Sequence, residues 1–176
     1  KEVTTMAFDA FIKIKDCKGE STDSAHKDEI EVLSYSWGVM QPAVATASSS
    51  GAISGERANF SDLSIVKLAD IASAPLAQHC ITGKHIPEAV LTLSRAQEKK
   101  VEYMRYVLED IIVSSVRHGG SGSGSDPVFT EEVTFNYGKI SFFYTKSDKT
   151  GAKVGNYTGG WSLIENKVHL SSNSPK

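Results

Sequence analysis

Histidines, cysteines and closely spaced carboxylates are the residues here that could hold a metal or move a proton, and their spacing argues against both. The five histidines, His26, His79, His85, His118 and His169, are scattered along the chain. None stands at a ligand interval from another His, a Cys or a carboxylate on one element, whereas a metal site needs convergent donors. His79 and Cys80 are neighbours on a predicted helix and so point in different directions. His79 and His85 straddle the end of that helix, where an imidazolium would answer the helix dipole. Glu29 and Glu31 share one face of a predicted strand, as a glycosidase pair would, but two acids on a strand edge more commonly protect that edge. Gly120-Ser121-Gly122-Ser123-Gly124 only loosely resembles a nucleophile elbow, because Gly122 sits at its centre and no strand-to-helix turn surrounds it. Gly83-Lys84-His85 lacks the spacing of a phosphate loop, and a helix C-terminus offers carbonyls where phosphate needs N–H groups. The expectation is no metal, no cofactor and no catalytic residue, hence no enzyme.

The elements that would position these residues are mostly strands. Phe8 to Ile14 alternates with period two, as does Ile30 to Met40, where Leu33, Tyr35, Trp37 and Val39 share one face and the small Ser34, Ser36 and Gly38 the other. Asn59 to Lys67 and Val90 to Ser94 read as further strands. Glu98 to Val116 fits helix or strand spacing, and the β-branched run Ile111-Ile112-Val113 decides for strand. Ser73 is placed to cap one short helix, with Pro75 in its first turn, Leu76, Ala77, Cys80 and Ile81 as its apolar stripe, and Gly83 ending it. His118 to Ser125 reads as a flexible connection. Val133, Phe135 and Tyr137 form one face before a break at Gly138-Lys139, and Ile140, Phe142 and Tyr144 continue it. Lys146 to Gly155 reads as a loop, and Asn156 to Val168 as a last strand or hairpin around Gly159-Gly160-Trp161. Short connections make the strands antiparallel, and the pattern as a whole predicts a β-barrel or sandwich with one helix.

Length and charge bound the rest. A chain of 176 residues buries roughly two-thirds of its unfolded surface as one domain, so it needs no disulfide staple. Cys17 and Cys80 are therefore expected as free thiols in a reducing compartment. A net charge of -2 and a pI near 6.2 give no pull toward nucleic acid or an anionic membrane. No apolar run approaches the roughly 20 residues that span a bilayer. Lys1 to Thr5 lacks the apolar centre of a secretory signal, and Met6 directly precedes the first strand pattern. Residues 1–5 are thus expected to be an extension, 6–170 a single domain and 171–176 a tail.

Several blocks of sequence resemble the haemolysin-coregulated protein (Hcp) family. Ala7-Phe8-Asp9-Ala10-Phe11-Ile12-Lys13-Ile14, followed by Lys18-Gly19-Glu20-Ser21 and His26, resembles the family's opening. Glu29-Ile30-Glu31-Val32-Leu33 with Ser36-Trp37-Gly38, Cys80-Ile81-Thr82-Gly83-Lys84-His85 and Ile112-Val113-Ser114-Ser115-Val116 follow in the family's order, from about Met6 to Trp161. The resemblance implies an antiparallel β-barrel of two sheets with one flanking helix, assembling as a hexameric ring. It implies that such rings stack into the inner tube of a type VI secretion system, inside a contractile sheath and behind a tip, or spike, complex. The tube is driven into a target cell, and its lumen carries or chaperones small effectors. Assembly in the bacterial cytoplasm would precede secretion into the medium or target cell without a cleaved signal peptide. No cofactor, nucleic acid or membrane insertion is implied. With only Leu170 to Lys176 beyond the last strand pattern, no fused toxin domain is expected.

Two sets of residues gain a meaning from that resemblance. Gln41 to Asn59 is almost wholly small and polar and cannot pack as core; a loop this long is disordered or functional. It corresponds to the family's extended loop, which reaches a neighbouring subunit or the next ring, and Gln41, Pro42, Ala43, Ser48, Ser49, Ser50, Gly51 and Gly55 are its expected interface residues. The family is often richer in glycine where this chain has Ala43-Val44-Ala45-Thr46-Ala47. Ser34, Ser36 and Gly38 are expected to face the lumen while Leu33, Tyr35, Trp37 and Val39 fill the barrel. The rival expectation is a monomeric β-sandwich binding module, for carbohydrate for example, which accounts for the strands but not for the long small-residue loop.

Overall fold

The computed structural model describes residues 8–45, 53–55, 57–95, 101–121, 128–148, 152–173 and 175. Its spine is a hairpin of two very long strands, β10 (Val101–Ser121) and β11 (Val128–Ser147). They pair antiparallel from Met104↔Tyr144 to Ser121↔Val128. The remaining elements in chain order are β1 (Phe8–Ile14), β2 (Ile30–Glu31), β3 (Ser34–Ser36), β4 (Val39–Met40), β5 (Ala43–Ala45), β6 (Ile53–Gly55), β7 (Asn59–Phe60), β8 (Leu63–Leu68), α1 (Ser73–Thr82), β9 (Ile86–Arg95), β12 (Lys153–Ser162) and β13 (Lys167–Val168).

The two ends of the hairpin take different neighbours. Residues 139–147 of β11 pair with β12, whereas residues 130–135 pair with β8. Residues 101–111 of β10 pair with β9, which pairs with β1 and so with β2. The resulting sheet has nine strands in the order β13-β12-β11-β10-β9-β1-β2, with β8 and then β3 branching from β11. β4 pairs with β7 and β5 with β6, apart from that sheet. The described residues are thus mainly β and antiparallel, with one short helix.

Where β11 changes partner, the ladder is irregular. Asp110 adopts φ 56° and leaves the pairing between Glu109↔Lys139 and Ile111↔Tyr137. A Cβ on Gly138 would run into the Ile164 side chain and Asp110 Cβ. Glycine there lets the strand continue where the sequence suggested a break at Gly138-Lys139. A second register shift follows between Val113 and Ser115.

The core lies on one face of this sheet. Ile12, Leu91, Leu93, Leu108 and Ile140 meet Leu63, Ile65, Val133 and Phe135, and Leu76 of α1 packs with them, all fully or almost fully buried. Burial of such side chains contributes about 1.5–3 kcal/mol each.

Several expectations change. Ile30–Met40 is not one strand: β2 pairs with β1, β3 with β8 and β4 with β7, and each change of partner interrupts the ladder. Glu98–Val116 does contain a strand, but β10 runs on through Gly119 and Gly120 to Ser121 in place of a flexible connection. The last hairpin turns after Ser162, beyond Gly159-Gly160. The helix ends at Gly83 in the left-handed region, as read, but Ala72 stands at its N-cap and Ser73 makes no cap bond. The helix buries Leu76 and His79, while Ile81 is 79% exposed.

Ser73 is diverted into a buried ionic cluster. Lys67 is 0% exposed, with Nζ 2.7 Å from Asp70 Oδ1 and 2.9 Å from Glu131 Oε2. It also donates to the Leu68 carbonyl at 2.7 Å. Ser73 Oγ donates to Glu131 Oε2 at 2.8 Å and accepts from the Asp70 amide at 3.0 Å. His118 Nδ1 lies 3.0 Å from the other Glu131 oxygen. Burial raises the Glu131 pKa, but hydrogen bonds from Lys67 and Ser73 and the charges of Lys67 and His118 outweigh it and hold the carboxyl below its ordinary 4.5. The stabilisation from that shift is therefore complete above the unfolded value and is lost as pH falls through the lower folded value. Glu131→Gln should cost about 3 kcal/mol by leaving Lys67 undercompensated. Urea unfolding at pH 7 would show this as a lower midpoint, and the variant should lose the acid-dependent part of the wild-type stability below pH 4.5.

Candidate functional site

The residues with chemical potential are dispersed and engaged. Among the described residues no three His, Cys, Asp or Glu side chains are grouped to hold a metal ion. His26 bonds Glu29 at 2.8 Å and stacks on Phe11 with ring centroids 4.5 Å apart. Glu29 lies just before β2, and its carboxylate is taken up by that bond to His26. His169 bonds Glu109, and His85 is exposed. His79 is not the exposed helix-end cation expected: it is buried, and burial, with Lys84 nearby, holds its pKa below the ordinary 6.5. Cys17 and Cys80 are free thiols; burial, with Asp70 beside it, pushes Cys17 up to about 11.

The features that stand out are surfaces. Gln41 and Asn59 do not bound a structureless loop. β4 pairs with β7 through Val39↔Phe60 and Met40↔Asn59. Beyond that pair, β5 and β6 continue as a ribbon through Ala43↔Gly55, Val44↔Ser54 and Ala45↔Ile53. Gln41 is exposed and Pro42 half-buried, while Ala43 and Gly55 sit in the ribbon's ladder. Ser48, Ser49, Ser50 and Gly51 lie outside the described residues.

At the base of this arm is an open cleft of about 1040 Å³, walled by Trp37, Phe60, Phe142, Trp161 and Leu163, with Arg57 at its margin. Trp37 is fixed there. Its ring packs against Tyr106 and Phe142 at 5.9 and 5.7 Å, and Nε1 donates to the Tyr137 hydroxyl at 2.6 Å. Tyr137 in turn donates to the Ser61 carbonyl at 2.9 Å. Burial pushes the Tyr137 phenol up to about 12, against the opposing hydrogen bond from Trp37.

On β3, Ser34 and Ser36 are exposed, Gly38 beyond it is half-buried, and Tyr35 and Trp37 pack against the core. The alternation holds at those positions and fails at its ends, since Leu33 is 49% and Val39 52% exposed. These two lie where the chain changes partner, outside the ladder of β3. The register extends the hydroxyl face of β3 sideways through Ser36↔Ser64, Ser64↔Thr134 and Thr134↔Ser115. Ser114 bonds Thr134 at 2.9 Å and also Asp62, which accepts from Asn136 at 2.9 Å. Sequence reading missed Ser64, Thr134 and Ser114 as members of this polar face. Their alternation with Leu63, Ile65, Val133 and Phe135 was the available signal, but the register that aligns them is not written in any one strand.

Residues 11–144 match the family described as type VI secretion system effector, Hcp. The chain belongs to the Hcp family. It is 41% identical to Protein hcp1 of Pseudomonas aeruginosa over 163 residues, which are 92% of this chain and 98% of that protein. A solved type six secretion system protein superposes with a TM-score of 0.86 at 33% identity, over 93% of this chain and all of the other. Hcp1 from Salmonella typhimurium does so with a TM-score of 0.76 at 34% identity, over 93% and 100%.

The stretch matched by the family model contains the arm, the ionic cluster and the hydroxyl face. The family match brings no catalytic assignment and no support for a carbohydrate-binding module. Tyr137→Phe should destabilise the Hcp body by about 1–3 kcal/mol, because Trp37 Nε1–H loses its acceptor inside a half-buried wall. The expected readout is a lower urea midpoint; an unchanged midpoint would mean that water replaces the phenol.

Proposed function

We infer that this chain is the structural subunit of a type VI secretion inner tube, acting as six-membered rings that stack and are propelled into a target cell. The observation that carries this reading is the 41% identity to Protein hcp1 along almost the whole of both chains. The barrel of two sheets expected for the family would correspond to the two halves of the β10–β11 hairpin with their different neighbours. The reading contains no chemical step: the work is assembly, passage and release.

Two surfaces take roles in it. The arm formed by β5 and β6, with Gln41, Pro42, Ala43, Ser48, Ser49, Ser50, Gly51 and Gly55, is the contact to a neighbouring subunit or ring. A two-stranded ribbon is marginal by itself in water, so a partner surface would complete it. Ser34, Ser36 and Gly38, extended by Ser64 and Thr134, face the lumen. Short hydroxyl side chains leave the bore open and give transient hydrogen bonds to passing protein. Sheath, spike and small effector proteins are the partners, and the route runs from cytoplasmic assembly to secretion without a cleaved signal peptide.

Negative-stain electron microscopy of the purified protein at high concentration should show six-fold rings with an open centre. Uniform particles of monomer size would overturn the ring reading. Ser36→Arg should leave rings intact and reduce effector retention or export, measured as effector co-purifying with the rings. Loss of the rings would instead place Ser36 in a packed interface.

A further inference from the structure

After β13 the chain crosses the sheet rather than joining it. His169 donates its amide to the Gly160 carbonyl on β12 at 3.3 Å. Ser141 on β11, 0% exposed, accepts from the Ser171 amide at 2.9 Å and directs its own hydroxyl toward the His169 carbonyl at 3.4 Å. The His169 imidazole bonds the Glu109 carboxylate on β10. Arg105, also on β10, donates from Nη1 to the Asn173 carbonyl at 3.0 Å, and its Nε and Nη2 donate side by side to the two Glu102 oxygens at 2.6 and 2.7 Å. Asn173 Nδ2 reaches Glu88 on β9 at 2.6 Å. The contacts step in order over β12, β11, β10 and β9, which are neighbours in the sheet.

From His169 to Ser172 the segment alternates like an extended ligand. Leu170 is 48% exposed between inward His169 and buried Ser171, and Pro175 is buried again. The face beneath is the one turned away from the main core, since Ser141 alternates with Ile140 and Phe142. Gly160 leaves room for the crossing, because a Cβ there would strike the His169 carbonyl oxygen. The bond from His169 to Gly160 continues the β12–β13 register; beyond it every anchor on the sheet is a side chain, so the segment is held there as peptides are held in a groove and not by a ladder.

We propose that this face of β9 to β12 is a peptide-binding groove and that residues 169–173 are its resident ligand. The groove reads an imidazole against Glu109, main-chain groups against Ser141 and Arg105, and a carboxamide against Glu88. Its ligand class is an extended polar segment with His, Ser and Asn at alternate positions. Tethering gives the chain's own tail an effective concentration of order millimolar, so a peptide from another molecule enters only when that tail is weakened.

The test uses the full chain carrying His169→Ala and Asn173→Ala, and a fluorescent peptide of residues 167–175 as probe, read by anisotropy. The variant should bind the probe in the micromolar range, the unaltered chain about tenfold or more weakly, and Arg105→Ala added to the variant should abolish binding. A folded variant that ignores the probe overturns the proposal. Should the variant fail to fold, hydrogen exchange on the unaltered chain decides: the Ser171 amide must exchange at least about tenfold more slowly than in the free peptide, and exchange at the free rate overturns it. Neither readout depends on ring formation.

Discussion

Backbone hydrogen bonds inside a folded chain must be paired almost without exception, and here the ladder between β10 and β11, irregular only at Asp110 and between Val113 and Ser115, is the longest single answer to that demand. Besides each other, β10 has β9 along residues 101–111, and β11 has neighbours along both of its halves. β11 takes β12 along one half and β8 along the other. The cost is concentrated at Asp110 and Gly138, where a left-handed residue faces a residue without a Cβ. The short strands β2, β3 and β4 follow from the same division: each serves a different neighbour, so the chain between them must turn.

The second constraint is electrostatic. An ammonium with no exposed surface is tolerated only with paired charge and filled hydrogen bonds. Lys67 obtains them from Asp70 and Glu131, with Ser73 and His118 completing the Glu131 carboxylate. These residues come from β8, the turn before α1, α1 itself, β10 and β11. The cluster therefore fixes where the helix begins against the branch of the sheet, and it explains why Ser73 bonds Glu131 and makes no cap bond. Removing one partner and removing the whole set are different experiments, since an apolar replacement of the complete set would avoid the desolvation penalty.

With the body fixed in this way, the surfaces relevant to assembly are the ones the body does not use. Val39 and Met40, at 52% and 63% exposure, flank the root of the arm, and the five aromatic or aliphatic walls of the adjoining cleft are only half-buried. Exposed apolar surface of this kind marks a site of contact with another protein, in keeping with the proposed ring. The tail groove differs in kind. It is anchored by polar groups beside the buried Val107 and Phe143, already filled, and on the opposite side of the sheet from the main core.

The amino-acid sequence determined what depends on local pattern. Period-two alternation found β1, β8 and β9, the β-branched run Ile111-Ile112-Val113 settled β10 as strand, and Gly83 set the end of α1. Blocks such as Ser36-Trp37-Gly38 carried the family. Only the tertiary structure decided what depends on partners distant in sequence. Whether Gly138 interrupts a strand rests on what lies opposite it. Whether His79 is exposed rests on the face α1 turns to β10. Lys67 looked like the polar end of a strand until Glu131 met it from 64 residues away. Leu33 and Val39 read as core by alternation, but alternation reports burial only while one neighbour lies alongside, and these two residues sit where the neighbour changes.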